Sequence, residues 1–276
     1  MTSPEIVIEL KPSLYRRMLG MALRHFYLYR GSWPRLIEMM YWPILNITLF
    51  GFISLSMVRR FGHADVMTDS FLCGIMLSEV LTRNTVGMLI IYLEEVWSKN
   101  LGHLFASPLS LHDYVMSLIG LSFLMRTLFA LIPAFLVVYF LFHFSILTLG
   151  WNLVLYWILL SLQSWWFGLL ILSVLMRYGL AAEWLGWMCS WLLMPFMAPY
   201  YPVSILPAAF QLISWSLPGT YVFESVKVQL VTGHARFDYL AIALVLDLAY
   251  LAIAAYVFLR AFKSAKRNGG LLQMGE

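Results

Sequence analysis

Residues 151–176, WNLVLYWILLSLQSWWFGLLILSVLM, contain no Asp, Glu, Lys or Arg. At about 1.5 Å of rise per residue, this stretch laid out as a helix crosses a hydrocarbon core of about 30 Å. Amide groups inside a bilayer have no water to bond, so the stretch must take a form that closes its own hydrogen bonds, the helix. The rest of the chain agrees in composition. Of its 276 residues 62% are hydrophobic and 12% charged, with a mean hydropathy of +0.80, more than a soluble core requires; this marks a polytopic membrane protein. Cys73 and Cys189 lie far apart inside apolar runs and suggest neither a disulfide framework nor a metal site.

Towards the N-terminus three further spans are expected. Residues 114–142 are apolar around Arg126 and Pro133, residues 70–93 carry Glu79 and Arg83 one helical turn apart, and residues 39–57 are uncharged. Acid before base at i, i+4 is the favourable order for an ion pair within a helix. Residues 1–35 lack the apolar core of a signal peptide, so they are expected to stay as an N-terminal element. Between 12 and 30, a helical plot places Arg16, Arg17, Arg24 and Arg30 on one arc, opposite Leu14, Met18, Leu19, Met21, Ala22 and Phe26. Such a helix is expected to lie in the headgroup region with its cations toward anionic lipid.

Towards the C-terminus, residues 184–198 form a fifth span, followed by Pro199, Pro202, Pro207 and Pro218. No continuous helix survives those prolines, so residues 200–228 are expected to be short re-entrant or interfacial helices, covered by protein or lining a wet path. Residues 239–259, with Asp247 inside them, complete six spans, and a basic tail follows. Twelve of the eighteen Lys and Arg residues fall in the N-terminal segment, the 94–113 loop, the turn at Arg177 and the tail. The positive-inside rule then places both termini in the cytoplasm and the Pro-rich region on the far side. The expected fold class is an all-α integral membrane protein: segment 1–35, a six-span domain over 36–260, and tail 261–276.

The longest polar gap is 94–114, EEVWSKNLGHLFASPLSLHDY. Trp97, Leu101, Leu104 and Phe105 fall at i, i+4, i+7 and i+8, the apolar stripe of a short amphipathic helix. Ser107-Pro108 stops it, and Ser110 with Asp113 three residues later is an N-cap signature.

The amphipathic N-terminal helix, the gap EEVWSKNLGHLFASPLS after span two, and YPVSILPAAFQLISWSLPGTYVFESVK before the last span together resemble the transmembrane permease subunit of type-two ABC exporters. That family includes glycan, lipid and drug exporters. The resemblance covers nearly the whole chain, although Trp97 and Asn100 stand where many members carry Arg, Gly or Thr. It implies that 94–110 is a coupling helix docking on a separate ATPase through Glu94, Glu95, Trp97, Asn100, Leu101, Leu104 and Phe105. It also implies a second copy of the chain, surrounding membrane lipids, and a far-side gate at Pro202, Pro207, Pro218 and Tyr221. The chain contains no Gly-Lys dipeptide and hence no GxxxxGK[ST] phosphate loop. ATP and Mg would therefore sit on the partner, with no cofactor, metal or catalytic residue in this chain. No nucleic acid is implied, and the setting would be a bacterial cytoplasmic membrane.

Glu79, Arg83, Arg126 and Asp247 are the intramembrane charges, and such groups tend to face protein or water. Structural pairing accounts for them; a secondary transporter driven by an ion gradient would instead use Glu79, Arg83 and Asp247 as coupling sites. Trp184, Trp187 and Trp191 share a helix face and Trp165-Trp166 lie in span four, where packing and interfacial anchoring explain most tryptophans. His103 and His112 have no ligand partners at metal spacing.

Overall fold

Helix α3 (Asp65–Trp97) is the axle of the molecule. Its apolar window is 100% buried, whereas those of α2 (Trp33–Phe61) and α12 (Phe237–Arg267) are 22% buried. Neighbouring helices therefore enclose α3, while α2 and α12 turn apolar faces outward. This computed structural model describes residues 14–61, 65–106 and 110–267. The first turn expected before Leu14, the Ser107-Pro108 stop and the tail beyond 267 lie outside the described residues, as do the side chains of Phe105 and Arg126.

All regular structure among the described residues is helical. Four stretches are long and apolar enough to cross a membrane: Trp33–Ser56, Asp69–Trp97, Asn152–Met197 and Phe237–Arg267. They contain the expected spans one, two, four and six. The third expected span is built of pieces: α5 (Leu111–Leu121), a π-helical turn (Ser122–Leu128) and α6 (Phe129–Phe142). The fifth follows α7 (Asn152–Tyr178) as α8 (Glu183–Leu192) and the one-turn α9 (Met194–Met197). Gly179 ends α7 at φ +68, a backbone angle few other residues adopt, and its N–H caps the Leu175 carbonyl.

The prolines divide the next region as their chemistry demands. Pro202 and Pro207 stand in extended backbone before a 3-10 turn (Val203–Ile205) and α10 (Ala208–Ser216). Pro218 opens α11 (Pro218–Thr232), where its missing N–H costs nothing. Helix α11 packs against α12, α7 and α3, and α7 lies between α3 and α12. Helices in lipid gain little from apolar burial as such and depend on close packing. Gly74 of α3 shows it, since a Cβ there would run into the Pro199 carbonyl.

The molecule has two ends. One gathers α1 (Leu14–Arg30), the last turn of α3, α4 (Leu101–Ala106), the start of α5 and the start of α8. The other gathers the α6–α7 connection and the Pro-rich segment, as the Gln229 Nε2 bond to the Leu149 carbonyl (3.0 Å) and the Lys227 contacts show.

Candidate functional site

At the first end three acids are enclosed by four basic side chains. Glu94 and Glu95 belong to the last turns of α3, and Asp113 lies at the start of α5. Arg24 meets Glu95 at 2.8 Å, Arg17 meets Asp113 at 3.0 Å and Arg35 meets Glu94 at 3.6 Å. His25, fully buried, places its ring nitrogens 3.5 Å from Glu94 Oε2 and Glu95 Oε1. Asn100 Nδ2 donates to Glu95 Oε2 at 2.7 Å. The Arg24–Glu95 and Arg17–Asp113 contacts have the length of strong charge-assisted bonds, whereas His25 meets Glu94 Oε2 and Glu95 Oε1 at ion-pair distance without a hydrogen bond.

Local backbone chemistry positions these groups. Helix α3 ends where Lys99 adopts φ +52, and the Asn100 N–H returns to the Glu95 carbonyl at 3.0 Å. Ser110 caps α5 in a reciprocal box with Asp113, as their spacing predicts. Asp113 is held below the ordinary carboxylate range, first by the Ser110 hydroxyl and then by the Ser110 N–H and the Arg17 guanidinium, with burial acting the other way. His112, exposed, lies 3.7 Å from Asp113 Oδ1.

Two expectations are corrected here. The two arcs of α1 do not separate as expected: Arg17 and Arg24 of the basic arc turn in to the acids beside the buried Met21, while Arg16 and Arg30 of that arc and Leu19 and Phe26 of the apolar one stay exposed. The covered face runs through Met21, His25 and Tyr29, and the carboxylates of α3 and α5 draw Arg17 and Arg24 onto its edge. Likewise the stripe of the 94–110 element packs onto its own protein. Leu101 and Leu104 join Met21, Val96, Tyr114 and Leu118 in one buried cluster. Glu95 is fully buried as well, so none of the three is free to dock a partner. The helix itself is Leu101–Ala106, and 94–97 continue α3.

What remains outward is Trp97, Ser98, Lys99 and His103, with Glu94 and Asn100 half-buried. Trp97, 51% exposed, donates its indole N–H to Glu183 Oε2 at 3.3 Å, and Trp187 donates to Glu183 Oε1 at 3.4 Å. Glu183 thus ties the end of α3 to α8. Trp184 and Trp191 of the same tryptophan set point outward.

Within the bundle, Glu79 and Arg83 form their i, i+4 pair at 3.0 Å, and Asn46 of α2 donates to Glu79 Oε1 at 2.8 Å. Asn84 of α3 accepts from Thr127 in the π turn (2.7 Å) and donates to Ser161 of α7 (3.2 Å), joining three helical segments. The π turn carries Thr127 to that partner, which an unbroken α-helix need not do. Asp247 is fully buried; Trp166 Nε1 donates to its Oδ1 at 2.9 Å, and its Oδ2 has no hydrogen-bond partner among the described residues.

Of the expected gate residues, Tyr221 belongs to a braced cap. Tyr221 donates to the Trp215 carbonyl at 2.9 Å and packs with Trp215 and Tyr239. Lys227 Nζ donates to the carbonyls of Ala198 (2.7 Å) and Tyr201 (2.5 Å) and to Glu224 Oε1 (2.8 Å), which also accepts from the Val203 N–H at 3.1 Å. Tyr200 inserts between Phe50 and Phe71 and shares a hydrogen bond with Ser78 at 3.1 Å.

Sequence inspection missed His25, Glu183, Asn46, Tyr200 and the Glu224–Lys227 clamp. Only the last carried a local signal, an i, i+3 pair in an otherwise apolar stretch. Among the described residues no group of three or more His, Cys, Asp or Glu is placed to hold a metal ion. Compared with protein-family models and with curated proteins, the chain matches none.

Proposed function

We propose that this chain is the membrane-spanning subunit of an ATP-driven exporter of the type-two ABC kind. It pairs with a second copy and with two separate ATPase subunits that hold ATP and Mg. Its cargo is hydrophobic or amphiphilic: a lipid, a lipid-linked glycan or a drug-like molecule. The α5–π–α6 run and the α8–α9 run complete six spans, both termini face the cytoplasm of a bacterium, and α10 with α11 re-enter the membrane from the far side.

The observation that carries this reading is the ion-paired cluster under Trp97, Ser98, Lys99 and His103. A short helix flanked on both sides by charge pairs whose carboxylates are buried moves as one body with α1, α3 and α5. A push on its outward face is therefore delivered to the spans instead of being absorbed by a loose loop. The docking residues are now Trp97, Lys99 and His103, with Glu94 and Asn100 at the edge, while Leu101, Leu104 and Glu95 transmit. Affinity purification of the tagged chain from its own membranes tests the reading: a P-loop ATPase in near-equal amount is expected, and its repeated absence overturns it.

A second reading draws on Asp247, whose buried carboxyl has one unpartnered oxygen. An ion-gradient transporter would load a proton there, with Glu79 and Arg83 nearby in sequence on α3 as a second locus. Transport that survives Asp247→Asn removes this reading, because Asn cannot carry the proton.

A further inference from the structure

A crevice of about 110 Å³ lies between α7 and α8, lined by Phe167, Leu170, Ile171, Val174, Leu185 and Cys189. We propose that it holds an acyl chain of an anionic phospholipid whose headgroup rests against Arg177.

The lining is wholly apolar, and Val174 and Leu185 are exposed at its mouth. It lies within a stretch long and apolar enough to cross a membrane, so what meets that mouth in a bilayer is hydrocarbon. From Phe167 to Val174 the α7 wall runs about 10 Å, enough to seat part of one acyl chain.

Charge selects the headgroup. Leu170, Val174 and Arg177 fall at i, i+4 and i+7, so the guanidinium stands on the crevice face one turn past its rim. Arg177 is exposed beside the exposed Tyr178 ring, 5.7 Å from its centroid. Arg17, Arg24, Arg35 and Arg83 all meet carboxylates, but Arg177 has no carboxylate partner among the described residues. The nearest acid in sequence, Glu183, is engaged by two indole N–H groups. An uncommitted guanidinium at the end of an apolar slot is complementary to a phosphate on an acyl chain, and a tyrosine hydroxyl beside it adds a donor. The end concerned is that of α1 and α4, so the lipid belongs to the leaflet on that side. The site requires a bilayer and not an ATPase partner, so it stands or falls apart from the exporter proposal.

The full chain, reconstituted in vesicles with a trace of phosphatidylglycerol or phosphatidylcholine carrying the same diazirine-labelled acyl chain, is photolysed and its adducts are mapped by mass spectrometry. Adducts are expected to concentrate on the crevice residues of α7 and α8. Phosphatidylglycerol should exceed phosphatidylcholine there by about fivefold, the equivalent of the roughly 1 kcal/mol that one basic side chain near the surface contributes. Arg177→Gln should bring the two headgroups to parity, and Val174→Trp should remove the crevice adducts. Equal labelling by both headgroups in the wild type overturns the proposal. So do adducts spread evenly onto the outward Ile132 and Leu136 of α6, or a crevice left unlabelled because a second copy covers it.

Discussion

Arg24 and Glu95 meet at 2.8 Å, joining the N-terminal helix to the end of the central span, with the carboxylate sealed from solvent and the guanidinium about a third exposed (34%). Removing one partner of a fully buried pair costs roughly 3–5 kcal/mol. Arg24 retains water, so Arg24→Ala should cost less, about 1–3 kcal/mol. Glu95→Gln should behave similarly, and the double variant should lose less than the two single losses combined. Thermal unfolding of the detergent-solubilised chain provides the cycle, and strict additivity would show that the contact carries no energy.

Asp113 makes stability depend on pH in a defined window. Its folded value is lowered from about 3.8, so its contribution is complete above that value and disappears as pH falls through the lowered one. Asp113→Asn removes the effect. Melting curves taken from about pH 7 down to about pH 3 should show wild type and variant separated at neutral pH and converging below the ordinary Asp range. A gap that stays constant would mean that the shape of the cap matters and its charge does not.

The far-end cap depends on one ammonium. Lys227→Met strips donors from the Ala198 and Tyr201 carbonyls and leaves Glu224 without its cation. Each buried group so orphaned costs about 1–3 kcal/mol. Protease cleavage between 198 and 207 should therefore rise in this variant, and rise less in Glu224→Gln, which spares both carbonyl contacts.

Two glycines provide a paired control. A methyl at Gly74 meets the Pro199 carbonyl, which is backbone and cannot step aside, whereas one at Gly120 in α5 meets nothing within 4 Å. Gly74→Ala should reduce folded protein in the membrane. Gly120→Ala should be neutral or stabilise by up to about 1 kcal/mol, the helix preference of Ala over Gly. Fluorescence-detected size exclusion separates the two.

Hydrophobic runs made the long helices legible, because a lipid-crossing segment must be apolar over its whole length. The Glu79–Arg83 pair could be read from its spacing, as could the Ser110–Asp113 cap and the division of the chain at Pro202, Pro207 and Pro218. Periodicity could not say which residues of α1 or α4 are covered, since Glu95 draws Arg24 inward and Leu101 is buried in a cluster that includes the distant Met21. The π turn at Ser122–Leu128 follows from Thr127 reaching Asn84, a tertiary contact with no local trace. Asp247 is expected to pair within the protein, and the neighbour it meets is the indole of Trp166, which an apolar pattern counts as hydrophobic.

In the proposed mechanism the outward face of Trp97, Lys99 and His103 receives force from an ATPase and passes it through the Arg24–Glu95 and Arg17–Asp113 pairs. The most direct measurement is ATP-driven transport in vesicles containing the purified complex, comparing wild type with Lys99→Glu/His103→Glu, two exposed changes that leave every buried pair intact. Normally folded protein is expected, with the ATPase bound weakly or not at all and transport lost. Full ATPase binding and undiminished transport in that variant would contradict this mechanism.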